Sequence, residues 1–219
     1  MADDRIVHIV DDDEAVRQSL AFLLSTNGFA VRAHASATAF LKEARRMGRA
    51  SLLTDLRMPD MTGVELLHRL RKAHVQMPAI VITGHGDVPM AVEAMKAGAS
   101  DFIEKPFENA VLIEALGRLS ATPEKTSEEP EEAERRLAHL SAREREVFRE
   151  VAAGKPNKTI AHELSISPRT VEVHRANVMA KTGARNLAEL VRLAMLAGES
   201  APEEENTLIQ NKEHSTSKG

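Results

Sequence analysis

Between Arg5 and Ser120 short apolar runs alternate with stretches whose apolar residues recur at helical spacing. The runs are Ile6–Val10, Phe29–Ala33, Ser51–Thr54, Ala79–Thr83 and Asp101–Ile103. Between and after them lie Glu14–Ser25, Ser36–Arg46, Gly63–Ala73, Asp87–Ala97 and Phe107–Leu119. Five strand-then-helix units predict a parallel sheet covered by helices on both faces. Gly28 and Gly98 stand just past two of the helices, where a left-handed residue ends a helix. From Leu140 onward the pattern is helical throughout, over Ser141–Ala153, Lys158–Leu164, Pro168–Lys181 and Leu187–Ala197.

The two regions are joined by TPEKTSEEPEEAERR (Thr122–Arg136), acidic and with two prolines, which is linker composition that can turn helical after Pro130. The division expected is therefore 1–121, a linker over 122–136, a helical domain over 137–198, and an acidic disordered tail over 199–219. The chain of 219 residues carries a net charge of −4, unevenly spread. Residues 1–121 hold 14 Lys+Arg against 16 Asp+Glu, residues 122–138 hold 3 against 6, residues 139–198 hold 10 against 6, and residues 199–219 hold 2 against 5. Only the helical block is positive, which points to a polyanionic partner for that block. With no Cys, thiolate chemistry and Cys-based metal sites are excluded. No apolar run approaches a membrane span and no secretory signal opens the chain, so a cytoplasmic location is expected.

In doubly wound sheets ligands bind beyond the carboxyl ends of the strands. The first strand ends in Asp11-Asp12-Asp13, the third in Asp55, the fourth in Thr83, and the fifth leads into Lys105-Pro106. Asp13 is expected to cap the first helix. Crowded carboxylates repel unless a cation sits among them, and Mg²⁺ suits an oxygen donor set of this kind. An Asp carboxylate can attack a phosphoryl group, whose oxygens a metal, the Lys105 ammonium and the Thr83 hydroxyl would neutralise. Asp55 is the better nucleophile, since Asp11 and Asp12 are adjacent and better placed as metal ligands. Asp11-x-Asp13 also fits the pair used by haloacid-dehalogenase-type phosphatases, but Ala15 stands where those carry Thr or Val, and that reading leaves Asp55 unused.

The strings HIVDDDEAV, LLTDLRMPDMTGVELL and IVITGHGDVPMAVEAMKAGASDFIEKPF closely resemble the receiver domain of bacterial two-component response regulators, over about residues 5–120. The resemblance implies a flavodoxin-like strand order 2-1-3-4-5, phosphorylation of Asp55 by a sensor histidine kinase, and Mg²⁺ on Asp11, Asp12, Asp55 and the backbone carbonyl of Arg57. It implies Thr83 and Phe102 as a switch pair, Lys105 as a phosphate contact, and a cis bond before Pro106. It implies no enzyme activity beyond self-phosphorylation and autodephosphorylation. With Phe at position 102 the switch has no hydroxyl and must work by burial. Val88, Val92 and Lys96 share one stripe of the fourth helix and form a candidate dimer face.

In the basic block, Ser167-Pro168 is a strong helix start. On the helix that follows, Val171, His174 and Val178 share one face, and His174 is expected to be packed and hydrogen-bonded, with Met179 and Met195 filling the core. LSAREREVF and PNKTIAHELSISPRTVEVHRANVMAKTGA resemble the four-helix, helix-turn-helix DNA-binding domain of LuxR/NarL-type regulators. That resemblance implies phosphate contacts from Asn157, Lys158, Arg175 and Lys181, and base-edge contacts from Arg169, Glu172, Val173 and Ala176. Within the class the strings are most similar to nitrogen-fixation activators. This implies an oxygen-sensing haem histidine kinase, promoter DNA and RNA polymerase as partners, and a homodimer on phosphorylation. A receiver that acts only through protein binding, with a vestigial helical domain, is the competing reading.

Overall fold

The computed structural model describes residues 5–84, 88–120 and 130–199, excluding the side chains of Val88 and Ser120. Five strands, β1 (Ile6–Val10), β2 (Ala30–His34), β3 (Ser51–Asp55), β4 (Ala79–Thr83) and β5 (Asp101–Glu104), pair in parallel in the order β2-β1-β3-β4-β5. They alternate with α1 (Glu14–Thr26), α2 (Ala37–Ala44), α3 (Gly63–Lys72), α4 (Val88–Lys96) and α5 (Asn109–Ser120). Strand side chains alternate between faces, so Val7, Ile9, Leu53, Ile80 and Ile82 pack under Leu20, Leu24, Leu112 and Leu116 of α1 and α5. Val10, Leu52 and Val81 meet Phe40, Leu66, Leu67 and Met95 of α2, α3 and α4. The registers Val10↔Thr54, Asp55↔Ile82 and Thr83↔Glu104 bring the ends of β1, β3, β4 and β5 to one rim.

Caps mark where the helices begin. Asp13 accepts from the Ala15 and Val16 amides, as expected of a residue spent on capping α1. The second helix is shorter than its pattern suggests, with Ser36 as N-cap and Arg45 as C-cap. The stretch expected to start a helix at Asp87 begins outside the described residues, and α4 is described from Val88. The cis bond expected between Lys105 and Pro106 is present.

The helical region comprises α6 (Pro130–Leu137), α7 (Ala142–Ala152), α8 (Asn157–Glu163), α9 (Pro168–Thr182) and α10 (Leu187–Leu196). Phe148, Val147, Ile160, Val171 and Val178 form its core. Its limits differ from expectation at both ends. Helix α6 belongs to this core rather than to a linker, because Ala133 and Leu137 are fully buried within it. Glu199 is also fixed, its carboxylate pairing with Arg145 and Arg149 of α7, so the expected acidic tail does not start there. Residues 121–129 and 200–219 lie outside the described residues. Among the described residues no helix is long and apolar enough to cross a membrane.

The two regions touch. Helix α10 lies on α4 and β5, and its Ala188 and Val191 join the receiver-side apolar cluster with Val92, Met95 and Ala99. Asn186 donates to Asp101 at 3.4 Å, and Arg185 pairs with Glu114 at 3.5 Å.

The packing around the sheet can be probed at two positions. At the start of α3, a Cβ on Gly63 would stand 2.6 Å from the backbone carbonyl oxygen of Asp55. Gly63→Ala should therefore destabilise the protein by about 1–3 kcal/mol in urea unfolding, and unchanged stability would show that the helix shifts freely. His8 is buried, its Nδ1 2.9 Å from His34 Nε2, with Phe40 against both rings. Burial, then the charges of His34 and Arg32, lower its pKa from 6.5 to about 4. In that interval the unfolded chain binds a proton that the folded one refuses, so stability rises with pH and falls away as pH drops from 6.5 toward 4. His8→Gln should flatten this part of the stability–pH profile; an unchanged slope would contradict the assignment.

Candidate functional site

At the shared rim, Lys105 Nζ lies 2.9 Å from Asp55 Oδ1 and 3.5 Å from Asp11 Oδ2. The second Asp55 oxygen accepts from the Arg57 amide at 2.7 Å, and Asp11 Oδ1 accepts from the Asp13 amide at 2.8 Å. Arg17 holds the Asp11 carbonyl at 2.8 Å and so ties the β1 end to α1. Asp11 is buried and Asp12 exposed, without a hydrogen-bond partner among the described residues. Burial raises the pKa of Asp11, and the neighbouring Asp55 and Asp12 charges push the same way against the Asp13 amide and Lys105. Burial works to lower that of Lys105, but Asp55 and then Asp11 outweigh it and raise it. The ammonium therefore stays charged between two carboxylates that would otherwise repel.

Among the described residues no three His, Asp or Glu side chains close into a metal cage. Mg²⁺ seldom uses such a cage; it takes one or two carboxylates and keeps waters. The crowded carboxylates of Asp11 and Asp55, the unpartnered Asp12 and the exposed residue Arg57, whose amide bonds Asp55, fit that open kind of site. Thr83 is buried at the end of β4, and its carbonyl accepts from the Lys105 amide at 2.7 Å. Phe102 is half-buried and lines a groove of about 300 Å³ together with Phe107, Val111, Arg185 and Asn186. One wall of that groove belongs to the helical domain.

The phosphatase alternative loses its pair. Asp13 is consumed as the α1 cap, and the ammonium bonds Asp55 directly.

In the helical domain Ser167 caps α9 by accepting from the Thr170 amide, Pro168 takes the first turn, and Gly183 at φ 67° ends it. Lys158, Arg169, Glu172, Val173 and Ala176 are exposed on α8 and α9. The other three sequence candidates are engaged within the domain. Arg175 is half-buried and donates to Asn157 at 2.7 Å, and burial lowers its pKa. Lys181 Nζ is 2.6 Å from Glu144, whose pKa is lowered to about 2 chiefly by that bond. The open cations of this surface are thus Lys158 and Arg169. His174 is half-buried with Nδ1 lacking a hydrogen-bond partner, contrary to expectation, and Met195 is exposed rather than in the core.

Of the candidate dimer face, Val92 is 3% exposed. The place of a Cβ on Gly154 is 3.4 Å from Val92 Cβ, so the end of α7 and the α10 helix cover it. Lys96 stays half-exposed, and the Val88 side chain lies outside the described residues. Sequence reasoning did not foresee that α10 would occupy this face.

Comparison with known proteins accords with the two halves. Residues 7–117 match the response regulator receiver domain, and residues 138–194 match the bacterial regulatory proteins of the luxR family. The chain is 60% identical over 198 residues to the transcriptional regulatory protein FixJ of Rhizobium meliloti, covering 89% of this chain and 97% of that one. It is 47% identical to FixJ of Bradyrhizobium diazoefficiens, covering 88% and 95%. The crystal structure of full-length FixJ from B. japonicum aligns with a TM-score of 0.51 at 46% identity, over 90% of this chain and 98% of that one. The chain therefore belongs to the two-component response regulators, as a FixJ-like member joining a receiver domain to a LuxR-type DNA-binding domain.

Proposed function

We propose that this regulator is a transcriptional activator switched by a phosphoryl group on Asp55, and that the switch acts by freeing the α4 face from α10. The observation that carries the reading is the ammonium of Lys105 held between Asp55 and Asp11 at the ends of three strands. In the proposed reaction an Asp55 carboxylate oxygen attacks phosphorus, the bond from phosphorus to the donor breaks, and the donor leaves with its electron pair. The donor is a phosphohistidine of a sensor kinase of the FixL type, sensing oxygen through haem. Asp11, Asp12, Asp55 and the Arg57 carbonyl would hold Mg²⁺, which supplies charge neutralisation at the phosphoryl oxygens. Lys105 would leave its bond with the carboxylate for a phosphoryl oxygen, and the Thr83 hydroxyl would donate to another.

The relay to the helical domain is a matter of space. Phe102 lies at the lip of the groove shared with Arg185 and Asn186. When Thr83 turns toward the phosphoryl group, Phe102 packs inward and the β5 side of the α10 contact changes shape. In the closed arrangement the outer face of α9 is open, with Val173 53% exposed. Inhibition therefore works by occupying the α4 face needed for pairing, rather than by blocking the recognition helix. Once α10 leaves, Val88, Val92 and Lys96 pair with a second copy and two recognition helices meet successive half-sites. Lys158 would then contact phosphate, Arg169, Glu172, Val173 and Ala176 base edges, and Asn157, Arg175 and Lys181 would serve the backbone contact through the bonds that order α8 and α9. Promoters of nitrogen-fixation or oxygen-responsive genes and RNA polymerase are the proposed targets, with the protein acting in the cytoplasm.

In gel shifts, acetyl phosphate with Mg²⁺ should tighten promoter binding by the parent protein and leave Asp55→Asn unchanged; equal tightening in both would refute the acceptor assignment. Ala188 is buried against the receiver and not in the helical domain's own core. Ala188→Lys would bury an unpaired charge in the closed contact. It should raise DNA binding without phosphodonor by about tenfold or more, and unchanged basal binding would show that the contact does not inhibit.

A further inference from the structure

The receiver domain has two electrically distinct poles. One is the acidic rim at the carboxyl ends of the strands. The opposite pole gathers the C-terminal ends of α2, α3 and α4, which lie side by side on one face of the sheet. Residues 42–49 and 69–74 contribute seven Lys or Arg there, Lys42, Arg45, Arg46, Arg49, Arg69, Arg71 and Lys72, against the single carboxylate Glu43. Arg69 is neutralised by Glu65. The side chains of the other six are exposed and have no ion-pair or hydrogen-bond partner among the described residues. His74, held at φ 55° after α3, is exposed beside them. The Arg71 guanidinium lies across Gly98 just past α4, so the strip runs over all three helix ends, roughly 20 Å at ordinary helix spacing.

Helix dipoles explain only part of this. A cation in the last turn is favourable, which accounts for Lys42 on α2 and for Arg71 and Lys72 on α3. Arg46 and Arg49 lie beyond the α2 cap at Arg45, where the dipole effect has fallen away. No ion pair among the described residues offsets their mutual repulsion. The domain is slightly acidic as a whole, so the strip is a local segregation of charge rather than a consequence of composition.

We infer that this basic pole is a second nucleic-acid contact, which binds the phosphate backbone of duplex DNA beside the site read by the helix-turn-helix domain. Two features favour DNA over a protein partner. Among the described residues the large exposed hydrophobics are Phe22, Val111, Val173 and Met195, all on other elements, so no apolar side chain stands out from the strip, and the groove between Leu70, Val75 and Met77 within it is edged by Arg71 and His74. And the receiver is joined to a DNA-binding domain, so DNA is held at high local concentration. A row of cations without base-reading side chains would add affinity and salt dependence but no sequence preference. The inference relies on DNA binding by the helical domain, not on any phosphorylation step.

The test is binding of the full chain to a mixed-sequence DNA duplex over a range of salt. Three proteins are compared with the parent: Arg45→Ser/Arg46→Ser/Arg49→Ser, Arg71→Ser/Lys72→Ser, and Lys158→Ala as a helix-turn-helix reference. Removing one cation from a DNA phosphate should lower the slope of log K against log salt by about 0.9, so the triple variant should show a slope smaller by up to about three and an affinity weaker by about tenfold or more near 0.1 M salt. Labelling of Asp55 by acetyl phosphate should stay at the parent level in the triple variant, which shows that its fold is intact. Parent-like affinity and slope in both strip variants would overturn the inference. So would unchanged DNA binding with impaired phosphoryl transfer from the sensor kinase, which would make the strip a protein-docking surface. If Lys158→Ala also binds as the parent does, the phosphate contact assigned to Lys158 fails instead.

Discussion

Two carboxylates on neighbouring strands, Asp11 and Asp55, are brought to one rim by the parallel register of β1 and β3, and a single ammonium from beyond β5 stands between them. Everything else in the receiver can be understood from this arrangement. Like charges at such spacing are tolerated only with a cation among them, and burial of Asp11 sharpens the demand. Lys105 meets it while leaving Asp12 and the outer side of the rim open. A site balanced in this way is poised for a change of charge: any group that brings both a metal ion and anionic oxygens must redistribute the bonds of Lys105.

The second constraint is competition for one surface. Val92, in the middle of the α4 stripe expected to form a dimer, is covered by α10 and the end of α7, with Ala188 and Val191 packed among receiver side chains. The polar contacts seen there among the described residues include a 3.4 Å bond from Asn186 and an exposed ion pair from Arg185, which contribute little each. The apolar part of the contact is correspondingly decisive. A cover of this kind suits a two-state element, because a modest change beside it shifts the balance. Phe102, the residue proposed to make that change, is half-buried and shares a groove with Arg185 and Asn186.

Much of this is legible in the sequence. Alternating apolar runs and helical stretches specify the sheet, and the polar residue after each run specifies the rim, because both depend on local periodicity. Ser167-Pro168 announces α9 for the same reason. What is not legible depends on distant partners. Arg175 and Lys181 read as open cations, since nothing near them in sequence reveals Asn157 or Glu144. A helix after Pro130 is legible within the acidic linker composition, but its place in the core is not, because its two buried residues, Ala133 and Leu137, are too few to set a period. The α10 cover does have a signal in the chain. LAELVRLAML is apolar nearly all round, and a helix of that kind needs two buried faces, one in its own domain and one elsewhere.

The central claim, that a phosphoryl group on Asp55 unlatches α10 from α4, is open to a direct distance measurement. The chain has no Cys, so spin labels can be confined to Glu65→Cys on α3 and Met195→Cys on α10, both exposed. Diluted with unlabelled protein, the pair should give one short, narrow distance distribution without phosphodonor. With Mg²⁺ and acetyl phosphate it should become longer and broader, unless Asp55 is replaced by Asn. An unchanged distribution in protein fully phosphorylated on Asp55 would contradict the account.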